Sequence, residues 1–445
     1  MEGGGNQMFK SKAKRYMALL AALVLSVSLI SGCGGPKGDS QGAGDAGDKI
    51  ELTFVNWAAG EAYTKDLNKV IAEYEKQNPN IKIKNVNVPV SDMRNQLMVM
   101  VMGGNVPDIA QVHVGDGVIL ASMNALEPTE NVLPKELIND FRPEFYEPGK
   151  VGDQHYLIPW APNTLTFYYN KTLLKELGFD PAKPPQTLDE MDQMMKVAKQ
   201  KMPDVVGLQL DTTIRTVGLA QEWPFMNNFL EQPVTNDSAK VNSPEFIQFG
   251  EWIRGTVKNG YTLAGKKFGE FRPQASQNRL LFALDGPFLR GVVKSFDKNI
   301  TDEQFFETWG VAPLPMGPTG KNFSAPDDHT LVVMKASQHK EEAAKFAEFL
   351  VNSEYTMKNY HGPLGFLPPT KSAAEKYPDL FNDPIRSVIL EKIVPTLTPL
   401  PFGPNYAKLG TTLMTGVQEI ITTDKPVKQI LDNTQTQLEG VINGQ

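Results

Sequence analysis

The chain has 445 residues, with 51 acids against 44 bases for a net charge of −7, and 41% of it is hydrophobic. That acidic balance argues against nucleic acid as a partner, and the length is enough for two or three domains with a substantial core. A single cysteine, Cys33, rules out an internal disulfide, so the fold must stand on its packing.

The first 32 residues carry Lys10, Lys12, Lys14 and Arg15 against one acid, Glu2, and Met17–Ser31 is almost wholly apolar or small. A basic start, an apolar core of about 15 residues and small residues after it describe a secretory signal peptide over 1–32. A permanent anchor would need roughly 20 apolar residues. The opening MEGGGNQ is odd for a signal, and Met8 is a second candidate start. Ile30-Ser31-Gly32-Cys33 resembles the lipobox of bacterial lipoproteins. The resemblance implies cleavage before Cys33 and diacylation of its sulfur, palmitate being one such acyl group. Two acyl chains hold a protein firmly at a membrane, whereas one binds marginally. An ordinary signal with an incidental cysteine is the alternative. From Cys33 to Lys49 the chain is rich in glycine and has no large apolar side chain, which reads as a flexible tether. GDSQG and GAGDAG within it match nucleophile-elbow and dinucleotide patterns, but neither follows a strand. GYTLAGKK at Gly260–Lys267 places Lys267 where a P-loop needs Ser or Thr.

The exported part opens with a βαβ pattern. Ile50, Leu52 and Phe54 alternate in a strand that Trp57 closes, and Tyr63, Leu67, Val70, Ile71 and Tyr74 form one helical stripe. Asn78-Pro79-Asn80 stops that helix. IKIKNVNV is a second strand whose apolar phase shifts between Ile83 and Val86, as a bulge would cause. Met93, Leu97, Met100 and Val101 form a second stripe, and DIAQVH is a third strand. Further on, Thr187 and Glu190 read as a capping box before Leu188, Met191, Met194 and Met195. Ser243-Pro244 opens a helix with Phe246, Phe249, Ile253 and Val257. Ser337 is expected to open another with Ala343, Phe346, Ala347 and Leu350, and helices over Leu409–Ile421 and Pro426–Ile442 end the chain. Strand and helix signals interleave throughout, so the fold class is α/β.

Six stretches in this order resemble family 1 extracellular solute-binding proteins, the carbohydrate receptors of bacterial ABC importers, of which maltose-binding protein is a familiar member. They are FVNWAAGEAY, GGNVPDIAQVHVGDGVILASMNALEPTE, YLIPWAPNTLTFYYNKTLLKELGFDPAKPPQTLDEM, FALDGPFLRGVV, WGVAPLPMGPTGK and VVMKASQHKEEAAKFAEFLVNSEY. FYYNKTLL and GVAPLPMGP are the most specific. The resemblance implies a two-lobe periplasmic-binding-protein-like fold of type II, its discontinuous lobes joined by a three-segment hinge. Crossings placed near Ala161, Pro315 and Gly362 give lobe one as 50–161 with 316–362 and lobe two as 162–315 with 363–445. Solute would lie between lobes that close by hinge motion.

A sugar site needs aromatic platforms ringed by hydrogen-bonding groups. On this basis Trp57, Trp160 and Trp223 are the candidate stacking residues, with Trp160 and Trp223 expected on opposite sides of the cleft. Trp252, within a helix, and Trp309, before a strand, read as packing. Phe288 stands where many relatives have a stacking Trp. The polar candidates are Glu61, His113, Asp116, Asp328 and His329. Asp116 could equally be a helix N-cap, Glu61 could be first-turn decoration, and Asp327-Asp328-His329 could be a solvated turn. The expected function is a lipid-anchored, extracytoplasmic sugar receptor on the cell membrane, monomeric, without catalysis, cofactor or metal, that delivers an oligosaccharide to separate permease subunits. A receptor for a cationic solute such as a polyamine is the alternative, and a secreted glycoside hydrolase is a more distant one.

Overall fold

The computed structural model describes residues 49–58, 64–90, 92–214, 216–327 and 329–444. The signal segment, Cys33, nearly all of the tether, Glu61, Tyr63 and Asp328 lie outside the described residues.

The strand and helix signals form two large separate sheets, beside a small two-stranded ribbon at Lys150–Val151 and Gln154–His155. The first half supplies β1 (Ile50–Asn56), α1 (Thr64–Gln77), β2 (Ile81–Asn87), α2 (Met93–Met102), β3 (Ile109–His113), α3 (Val114–Ser122) and β4 (Ile158–Ala161). The middle supplies β5 (Thr166–Asn170), α4 (Lys171–Leu177), α5 (Leu188–Lys201), β6 (Val206–Leu208), α6 (Thr216–Phe229), α7 (Pro244–Lys258), β7 (Leu280–Asp285), α8 (Leu289–Phe296) and β8 (Trp309–Ala312). Then come β9 (His329–Val333), α9 (Lys340–Asn352), α10 (Tyr406–Thr422) and α11 (Val427–Ile442), with short helical turns between.

The first sheet has the order β2-β1-β3-β9-β4 and the second β8-β5-β7-β6. β1 is parallel to β2 and β3, and β9 runs antiparallel to both β3 and β4. The chain therefore leaves the first sheet after Ala161 and returns to its interior at His329, with the whole second sheet in between. Each sheet is the spine of one α/β lobe. On the first, Phe54, Ile109, Ile158 and Leu331 face α1 and α9, while Val55, Val112 and Val332 face α2 and α3. The second lobe buries Phe167, Phe282 and Leu284 against α4 to α7, α10 and α11.

This double covering explains the phase shift in β2. There is no bulge: β1 and β2 pair without interruption from Ile50 opposite Ile81 to Asn56 opposite Asn87. Ile81 and Ile83 pack on one side of the sheet and Val86 on the other, so both phases are apolar. The α9 helix starts at Lys340 rather than at Ser337. Ser337 lies in the preceding turn, where its hydroxyl donates to Asp108 and accepts from the His339 amide at 3.0 Å. Thr187 does cap α5, accepting from the Glu190 amide at 3.2 Å, but Glu190 reaches the Gln186 amide at 2.6 Å rather than that of Thr187. Within α6 stands Pro224, an interior proline.

Candidate functional site

The parallel strands β1 and β3 end side by side, where loops leave a sheet toward a cleft. Trp57 follows β1 directly, and His113 is the last residue of β3. His329 opens β9 and is the register partner of His113. These three positions therefore converge through strand pairing alone. Trp57 stacks on His113 with ring centroids 4.8 Å apart and planes at 27°. It also meets His329 edge-on at 5.2 Å, and the two histidine rings are 5.7 Å apart. The Gln111 side chain fixes the turn by accepting from the Trp57 and Ala58 amides, each at 3.2 Å. Its own Nε2 is buried without a hydrogen-bond partner among the described residues.

The second lobe reaches this row through Phe288, just beyond β7, whose ring lies 6.4 Å from His329 and 6.0 Å from Phe366. Arg272 lies over the Phe288 ring at 5.5 Å and pairs with the buried Asp285 at 3.1 and 3.0 Å. Five aromatic or imidazole rings thus run from one lobe to the other.

Beside the row lies a cavity of about 50 Å³. Arg94, His113, Gly115 and Asp116 wall it from the first lobe, Ala220, Leu400, Phe402 and Tyr406 from the second, and Pro326 and Asp327 from the connecting segment. Asp116 is held by an ion pair to Arg94. It sits in the first turn of α3, and the α3 N-cap is His113, without a side-chain cap bond. Burial pushes the Asp327 carboxyl up to about 6, with His113 pulling the other way. Burial also drives the His329 imidazole well below its usual range, and the His113 charge adds to this. His329 is therefore neutral, and its Nδ1 is buried with no hydrogen-bond partner among the described residues.

Of the expected site residues, Trp57, His113, Asp116, Phe288 and His329 come together here. Trp160 and Trp223 do not. Trp160 is fully buried in the first lobe, parallel to Tyr360 at 5.5 Å and edge-on to Phe54 at 6.0 Å. On β4 it shares a face with Ile158, so the two-residue strand period turns it into the core. Trp223 lies in the second lobe's core, its Nε1 donating to the Pro399 carbonyl at 3.2 Å. It follows Leu219 by one helical turn, and both are on the buried stripe of α6. Trp252 stacks on Phe225 at 5.1 Å and Trp309 meets Tyr168 edge-on, both as packing. Sequence reasoning missed Arg94, Phe402 and Tyr406. The signal available for the last two was PLPFGPNY, a Pro- and Gly-rich loop carrying two aromatics.

Among the described residues no group of three or more His, Cys, Asp or Glu could hold a metal ion, and no helix is long and apolar enough to cross a membrane. The arrangement offers flat ring faces, hydrogen-bonding side chains and two opposed walls, which suits reversible capture of a small polar solute.

Comparison with known proteins agrees with this geometry. A multiple sugar-binding protein of Streptococcus mutans is 22% identical over 358 residues, covering 78% of this chain and 80% of its own. Among solved structures, the maltose-bound MalE3 of T. maritima superposes with a TM-score of 0.77 at 20% identity, covering 88% of this chain and 99% of that one. A Thermotoga lettingae ABC transporter solute-binding protein bound with α-D-tagatose gives 0.76 at 21% identity, covering 88% and 100%. The sequence model for bacterial extracellular solute-binding proteins matches residues 69–386, and the chain belongs to that family.

Proposed function

We propose that this protein is an extracytoplasmic receptor that captures a carbohydrate, an oligosaccharide in particular, between its lobes and delivers it intact to the permease of an ABC importer. The observation that carries this reading is the interlobe cavity, walled by Arg94, Asp116, Asp327 and Tyr406 beside the Trp57–His113–His329–Phe288 ring row. Sugars present both hydroxyls and flat C–H faces, and this wall matches both. The ligands of the related proteins, maltose, tagatose and multiple sugars, support the same class. At about 50 Å³ the cavity is below the roughly 300 Å³ of a small-molecule pocket. Entry therefore requires the lobes, taken as 50–161 with 316–362 and 162–315 with 363–445, to part on their hinge. Cys33 serves as the lipid attachment, and the receptor acts as a monomer.

Calorimetric titration with maltose, maltotriose, tagatose and spermidine tests the reading, followed by chromatography of the recovered solute. A sugar bound and returned unchanged is the expected result. Saturable binding of spermidine alone would favour Asp327 as a cation partner, and a shortened sugar would mean hydrolysis.

A further inference from the structure

At the cavity wall, Gly115 in the first turn of α3 meets the second lobe's rings directly. A Cβ built on Gly115 would lie 2.4 Å from Cε1 of Tyr406, 2.6 Å from its Cδ1 and 3.0 Å from Cδ1 of Phe402. No real side chain fits there, so the bare backbone is what allows this approach. The rings are not free to retreat. Tyr406 is buried at the head of α10 in the second lobe's core, and Phe402 packs edge-on against it at 5.0 Å. Phe402 also touches the apolar clusters of both lobes. The contact therefore joins two rigid bodies rather than two mobile side chains.

We propose that Gly115 is the stop on which the two lobes close, so that the volume of residue 115 sets the closed lobe separation and with it the height of the solute site. This rests on the receptor reading above and adds which contact fixes the closed state. A methyl at 115 props the lobes apart, and an isopropyl group does so further. Neither harms the helix, since glycine is a poorer helix former than either replacement.

The test is a graded series, Gly115→Ala and Gly115→Val, each alone and with Tyr406→Ala, titrated with maltotriose. Gly115→Val is expected to weaken binding tenfold or more, Gly115→Ala less, with thermal unfolding of the unliganded protein unchanged or raised. In the Tyr406→Ala background the Val substitution is expected to cost less, because the nearer of the two rings it strikes is gone, giving a non-additive cycle. Additive effects, or unchanged affinity in Gly115→Val, overturn the stop. A second measurement needs no sugar: spin labels at the exposed Lys69 and Lys258, one on each lobe, in a Cys33→Ser chain. The shortest interlobe distance should lengthen in Gly115→Val, and an unchanged distance distribution overturns the proposal. A wild type that binds no sugar sinks the receptor reading instead, and the distances then decide the stop by themselves.

Discussion

Glu222 is completely buried in the second lobe, and neither of its carboxyl oxygens has a hydrogen-bond partner among the described residues. Burial first, and the charge of Asp211 second, hold its carboxyl well above the ordinary carboxylate range. The folded chain thus keeps a proton that the unfolded chain releases near 4.5. Stability from this group is complete below that value and is lost as pH rises through the folded value. Glu222→Met is accordingly expected to raise stability at pH 8 by about 1–3 kcal/mol and to change it far less at pH 4, read as the difference in Tm between the two pH values. His361 has the opposite sign: burial lowers it to about 4, so stability is lost as pH falls from 6.5 toward that value. Trp160→Ala should lower stability by about 3–5 kcal/mol in urea unfolding, because its ring fills the core between Phe54 and Tyr360. A loss of sugar affinity without loss of stability would return Trp160 to the solute. These residues show the limit of reading single positions. Trp57 and His113 could be placed at strand ends from alternation, but a tryptophan in a sequence looks the same whether its face meets solute or Tyr360.

Helix caps are local, and they were readable where the side chain and its amide partner lie within one turn. Thr187 and Ser243 both accept from the amide three residues on, as their patterns predict. Thr187→Ala should therefore cost about 1 kcal/mol. Glu190→Ala should cost less, since the Glu190 carboxylate serves Gln186 rather than closing the reciprocal pair; thermal melts of the two variants separate the cases. Where the partner is distant in sequence, the local pattern does not reveal it. The pattern at Ser337 suggests a helix start, but its hydroxyl is committed to Asp108, which precedes β3, the strand paired with β9. The phase shift in β2 was likewise ambiguous, since a bulge and a sheet covered on both faces leave the same pattern. Only the pairing with β1 separates them.

At the scale of the molecule, the α/β class was legible from interleaved periodicities, while the closing loop at Leu400 to Tyr406 was not. It reaches the cavity only because α10 and α11 fold back on α6 and α7 of the second lobe, a contact no local pattern encodes. The proposed lipid attachment concerns the whole chain, and it is expected to fail in one substitution. Cys33→Ser should move from the membrane pellet to the soluble fraction on cell fractionation, and a variant that stays in the pellet would rule out the lipid. The position of β9 has a further consequence, for time rather than for space. It lies between β3 and β4, and its Thr330 hydroxyl bonds a carbonyl 218 residues earlier. The first lobe cannot complete its sheet until nearly three quarters of the chain has arrived, and so distant a closure slows folding. A chain emerging N-terminus first therefore stays unfinished through most of its emergence, which is the condition a polypeptide threaded across a membrane requires.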